Sequence, residues 1–201
     1  MNSPPIIGII GGIGSGKSTI ANIMGELGCI VADADANIAT ILQQKDVQEQ
    51  LTRWWGDAIN SEDGLLDRQA IANIVFRDDS ERVRLESLLH PLARKMQEKQ
   101  FSVADSSTKA LIIDAPLLIE SGLDVLCDAI IFVDVPFETR KTRVLQSRNW
   151  TEQELQSREA TQYPLDKKRK RADYVVINEG DLGAVTLQVK KILDEIRRQL
   201  A

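Results

Sequence analysis

Cysteine is nearly absent from this 201-residue chain: Cys29 and Cys127 stand alone, both in apolar contexts, LGCIV and DVLCDAII. Two such residues build no disulfide framework, and they read as buried thiols. Long apolar runs are missing too; none approaches the roughly 18 residues of a membrane span. No basic leader or cleavable apolar stretch is present, which points to the cytoplasm. Proline and glycine are not in excess, and no repeat or low-complexity linker interrupts the chain. Positive charge is outweighed, with 25 Lys and Arg against 30 Asp and Glu. The resulting net charge of −5 argues against a general nucleic-acid-binding surface but leaves room for a local basic patch.

What is present describes an ordinary soluble enzyme. A hydrophobic content of 43% is enough for a sizeable core, and the length suits one compact domain with an inserted subdomain. Five β-rich runs stand out: Ile6–Ile10, Cys29–Val31, Leu111–Ile113, Ile130–Val135 and Tyr174–Ile177. They are continuously apolar rather than alternating, as strands covered on both faces are. Between them lie helical stretches, among them Lys17–Leu27, Arg68–Phe76, Ser80–Leu89 and Leu182–Leu200. Strand–helix alternation of this kind implies right-handed βαβ units and an open α/β sheet.

Two segments break that rhythm. Residues 38–109 hold no convincing strand and several amphipathic helices, with starts marked by Asp67 and by Asp79 or Ser80. This reads as a helical insertion. Residues 140–171 are helical and basic, with ten Lys or Arg against four acids, a local charge of +6. A charge run is often only a solvated helix face.

The chemistry is most legible near the N-terminus. Gly11, Gly16, Lys17 and Ser18 fit the P-loop spacing G-x-x-x-x-G-K-[ST], with an apolar strand before it and a helix after it. Glycines let successive backbone amides turn inward to form an anion nest, to which the helix N-terminus adds its own amides and dipole. Lys17 supplies a point charge for the β- and γ-phosphates, and the Ser18 hydroxyl is placed for Mg²⁺. Nucleoside triphosphate binding follows.

The class of P-loop protein is narrowed by further absences. No aspartate has a glycine three residues on, N-K-x-D does not occur, and no ABC-type signature is found. A small kinase remains, with a compact sheet, a helical acceptor-binding insertion and a basic lid. Asp33, just past the second strand, sits where open α/β sheets place their ligand crevice, and could take the acceptor's proton. The competing reading is a cap for the following helix, which suits Asp35 better. Asp114, closing the third strand, holds a Walker-B-like position for Mg²⁺. Glu120 lies farther along the same loop; Pro116 fixes its turn, and Leu117 and Leu118 read as packing. In the lid, Arg140, Arg143 and Arg148 are candidates to close over the transferring phosphate.

The ordered series GGIGSGKST, VADAD, DGLLDR, LLHPLARK, DAPLLIESG, REATQ, KKRKRAD and VINEG resembles the dephospho-CoA kinase family over nearly the whole chain. The resemblance implies a P-loop kinase-like three-layer fold with a five-stranded parallel sheet. It divides the chain into a nucleotide core (1–37, 110–139 and 172–201), a helical CoA domain (38–109) and a lid (140–171). It implies ATP as co-substrate with Mg²⁺, and transfer to the ribose 3′-hydroxyl of dephospho-CoA. No heptad seam or assembly motif argues against a monomer, with a homo-oligomer as the alternative. Gly12, Ile13, Gly14, Ser15, Gly16, Lys17, Ser18 and Thr19 would cradle ATP, with Asn178 near the adenine. Asp33 would be the base. Arg68, His90, Asp114, Leu117 and Glu120 would serve the acceptor side, although His90 before Pro91 also reads as a helix boundary. The chain departs from the family's usual pattern at Ile10, Thr40 and Ile177. Another small-molecule kinase, or a non-catalytic ATP-binding regulator, are the alternative readings.

Overall fold

The computed structural model describes residues 3–61, 65–148 and 150–200. Asp63 and Gly64 of the DGLLDR motif, and Asn149 of the lid, lie outside them. The described residues fall into two compact units, one of residues 1–33 with 103–201 and one of residues 34–102.

The first unit is built on five parallel strands, β1 (Ile6–Gly11), β2 (Ile30–Asp33), β3 (Leu111–Asp114), β4 (Ala129–Asp134) and β5 (Tyr174–Ile177). Their order is β2-β3-β1-β4-β5. Both faces are covered, which is why the strands are apolar throughout. On one face Ile7, Ile9, Ile112, Ile131 and Val176 pack in a single cluster with two helices, α1 (Lys17–Glu26) and, near the C-terminus, Leu182–Gln199. On the other, a carbon added to Gly8 would meet Leu118 Cδ2 at 2.6 Å and Cys127 Sγ at 2.9 Å, so β1 carries glycine where the 115–127 loop lies against it. The α/β reading therefore holds, with strand ends moved by a residue or two. Asp33 closes β2 rather than following it.

The second unit holds α2 (Ala34–Ile41), α3 (Lys45–Trp55), α4 (Arg68–Arg77) and α5 (Asp79–Phe101). Asp67 caps α4, accepting from the Gln69 and Ala70 amides at 2.8 and 3.1 Å. The cap of α5 is Asp78, one residue before the two expected, because its carboxylate reaches the Ser80 and Glu81 amides. Nor does α5 end at His90. It runs through Pro91 for 23 residues. A mid-helix proline costs about 3 kcal/mol, but the apolar face continues across it. Leu85, Leu88 and Leu89 before it and Leu92, Ala93 and Met96 after it join one core with Ile41, Leu51 and Ile71. That shared burial outweighs the lost hydrogen bond.

Between β4 and β5 the chain forms α6 (Phe137–Arg148), α7 (Glu152–Glu159) and α8 (Leu165–Arg171), and the C-terminal helix is α9 (Leu182–Gln199). A capping box of Thr151 and Glu154 starts α7.

Candidate active site

The carboxyl ends of the parallel strands gather the site. Asp33 and Asp114 are register partners across β2 and β3, and Asp114 is in turn the partner of Ile9 on β1. Two residues beyond Ile9, β1 opens into the P-loop. The topology thus sets two carboxylates side by side at the sheet edge next to the phosphate nest, as ligand crevices in open α/β sheets are built. Asp114 is buried.

The loop itself turns on Gly14 and Gly16, with φ of 77° and 81°, where an L side chain is strained. No side chain caps α1, nor α3 or α8; of these, α1 is the helix whose open amides continue the glycine loop. An uncapped N-terminus leaves its amides to an anion. Lys17 Nζ lies 3.3 and 3.4 Å from the Gly11 and Gly12 carbonyls, arched back over the loop it would serve. Ser18 is exposed at the first turn of α1. Ser15 is fully buried, and its hydroxyl has no hydrogen-bond partner.

A second layer supports the loop. Asn178 Nδ2 donates to the Ser15 carbonyl at 2.7 Å, and a carbon added to Gly16 would meet that nitrogen at 2.3 Å. Arg143 donates to the Asn178 carbonyl at 2.9 Å and reaches the Ser15 carbonyl at 3.5 Å. Arg140 is buried, donating to the Ile13 carbonyl at 3.0 Å and pairing with Glu159, whose carboxylate accepts from the Ile13 amide at 3.2 Å. One residue of the nest, Ile13, is held at both its amide and its carbonyl. Arg140 and Arg143 are therefore engaged on loop backbone. Arg148 is exposed, its guanidinium 4.9 Å from the Trp150 ring centre, with Arg158 at 4.1 Å.

The remaining candidates are spread more widely. Glu120 pairs with Lys168 at 2.9 Å and accepts from the Tyr163 amide at 2.8 Å. Burial works against its charge, yet these hydrogen bonds hold its carboxyl below the usual range. Leu117 is half exposed on the turn after β3. Arg68 and His90 are exposed in the second unit, at the start of α4 and within α5. Sequence reasoning passed over Glu159 and Lys168. An acid inside a basic segment was the one visible sign of the first, and nothing in KKRKR sets Lys168 apart.

Mg²⁺ takes oxygen ligands, one or two carboxylates plus substrate phosphates, rather than a cage made by protein alone. Asp114 and Ser18 fit that donor set. Among the described residues no three His, Cys, Asp or Glu gather into a metal cluster of their own.

A parallel sheet whose first strand ends in this loop, with paired carboxylates on the neighbouring strands and a basic helical segment against the loop, defines a P-loop kinase. The family model for dephospho-CoA kinase matches residues 5–183. The dephospho-CoA kinase of Geobacillus kaustophilus is 37% identical, over 94% of this chain and 95% of its own. That of Aquifex aeolicus is 36% identical, over 96% and 97%. A solved Thermus thermophilus protein superposes with a TM-score of 0.85 at 34% identity, covering 96% of this chain and 98% of that one. The chain belongs to the dephospho-CoA kinase family. Among the described residues, no helix is long and apolar enough to cross a membrane.

Proposed function

We propose that this chain transfers the γ-phosphoryl group of ATP to the ribose 3′-hydroxyl of dephospho-CoA, giving coenzyme A and ADP as the last step of CoA synthesis. The observation that carries the reading is the Asp33–Asp114 register pair beside the P-loop, in a chain of this family. A protein that only binds ATP needs no carboxylate pair at the acceptor side.

Each role follows from position. Backbone amides from Gly12 to Thr19 hold the phosphates, and Lys17 leaves the loop carbonyls to counter their charge. Asp33 accepts the proton of the attacking hydroxyl as the new oxygen–phosphorus bond forms and the bond to the ADP oxygen breaks. Ser18 and Asp114 would hold Mg²⁺, which supplies charge neutralisation on the phosphates when bound. Residues 140–171 act as the lid; of the three arginines of α6, Arg140 and Arg143 are engaged below, and Arg148 reaches for the transferring group. Asn178 steadies the nucleotide side of the loop. The helical domain of residues 38–109, with Arg68 and His90, serves the acceptor; Leu117 is a further acceptor-side residue. The enzyme works in the cytoplasm, with neither nucleic acid nor membrane as partner, and nothing in its sequence requires more than a monomer.

The test is the position of the new phosphate. Product made from ATP and dephospho-CoA should show a single phosphorus resonance coupled to the ribose 3′-proton. A phosphate on any other oxygen, or none, would sink the proposal.

A further inference from the structure

Every residue from Lys167 to Arg171 is cationic, and four of the five are exposed as a solvated face should be. Lys168 is the exception. Its side chain is 1% exposed, the largest among the fully buried side chains. Burying an ammonium is costly unless each of its protons finds an acceptor. Here three are within reach: Glu120 Oε1 at 2.9 Å, Gln162 Oε1 at 3.0 Å and the Pro116 carbonyl at 3.4 Å.

Those acceptors belong to two places. Gln162 lies in the turn before α8, whose neighbour Tyr163 donates its amide to the same Glu120 oxygen. Pro116 and Glu120 lie on the loop that begins directly after Asp114. The other Glu120 oxygen is buried with no hydrogen-bond partner, an arrangement that costs stability and calls for a reason. Between the two anchors Leu118 is fully buried beneath Gly8 of β1. The loop is therefore gripped from two sides, by apolar packing on β1 and by one buried cation at the base of the lid.

We infer that Lys168 is a positioning residue: by fixing the Pro116 carbonyl and Glu120, it sets the backbone that follows Asp114 and so aligns that carboxylate with the phosphate loop. The inference rests on the kinase reading above. A misplacement of about 1 Å near reacting groups can cost on the order of 100-fold in rate, so a loosened loop should show in kcat. ATP binding rests on other residues and should not change.

A single Lys168→Met change strands the Glu120 charge and confounds folding with function. The deciding variant is Lys168→Met with Glu120→Gln, which removes both charges together. Its thermal unfolding, its ATP dissociation constant and its kcat with dephospho-CoA are measured beside those of the unmutated chain. The expected result is unfolding and ATP affinity close to the unmutated values with kcat down at least about 10-fold. A double variant that keeps both its fold and its kcat would show that the pair serves stability alone, overturning the inference. If that variant does not fold, Glu120→Gln alone, which keeps the volume and the acceptor for Tyr163, carries the test. A kcat loss of at least about threefold at unchanged ATP affinity supports the inference, and an unchanged kcat overturns it. Failure of the unmutated chain to phosphorylate dephospho-CoA would instead overturn the kinase reading, and this inference with it.

Discussion

Replacing Arg140 with methionine should unsettle the phosphate loop from beneath. The guanidinium is 4% exposed and its partner Glu159 19% exposed. It also donates to the carbonyls of Val135 and Ile13, at 3.3 and 3.0 Å. Methionine keeps much of the volume, so the loss is of charge and hydrogen bonds rather than of packing. Removing one member of a buried pair costs about 3–5 kcal/mol, chiefly because the other charge is left uncompensated. Water reaches part of Glu159, which favours the lower end, about 3 kcal/mol. For a chain of this size that corresponds to a Tm lower by about 6–12 °C. The Ile13 carbonyl loses its charged donor, and ATP affinity should fall about 10-fold, within the range for such a bond. Differential scanning fluorimetry and ATP titration calorimetry read both effects. Adding Glu159→Gln removes the stranded charge, so the double variant should unfold at a higher temperature than Arg140→Met alone. An Arg140→Met protein with unchanged Tm and ATP affinity would refute the clamp. So would a double variant whose losses simply add.

Asp33→Asn should lower kcat by about 100- to 10,000-fold, the range for a lost general base, with ATP affinity retained; a near-normal kcat in steady-state assays would return Asp33 to a helix-capping role. Burial pushes the Cys29 thiol up to about 11, and burial with the charges of Asp124 and Asp128 pushes Cys127 up to about 12. Both should therefore resist iodoacetamide at pH 8 in the folded protein and react once it is denatured, as intact-mass measurement would show. The Glu120 carboxyl is held below its ordinary value, so its stabilisation is complete above about pH 4.3 and is lost as pH falls through the depressed folded value. Thermal unfolding between pH 6 and 3 should accordingly fall less steeply for Glu120→Gln than for the unmutated chain.

The sequence carried its fold through local signals that the tertiary structure agrees with. The five apolar runs are strands because both faces of the sheet are covered, and the P-loop could be read because Gly14 and Gly16 answer a backbone need at their own positions. The end of α5 was not readable at Pro91, since what continues the helix is a core shared with α2 and α4 rather than anything local. Strand order was silent for the same reason. The register that pairs Asp33 with Asp114 joins residues 81 positions apart in the chain. Among lid cations, sequence ranks Arg140, Arg143 and Arg148 alike and leaves Lys168 unmarked within KKRKR. Burial separates them, placing Arg140 and Arg143 on loop carbonyls and Lys168 on Glu120, with Arg148 outside. Roles set by long-range contacts leave no periodic trace, which is why Glu159 went unnoticed within a basic segment.

The account stands or falls on its acceptor. ADP release, coupled to an indicator reaction, should be followed with ATP and Mg²⁺ alone, with dephospho-CoA, and with nucleosides or nucleoside monophosphates in its place. Rapid turnover with dephospho-CoA, and little with the others, is the predicted result. No more ADP with dephospho-CoA than with water as acceptor would contradict it.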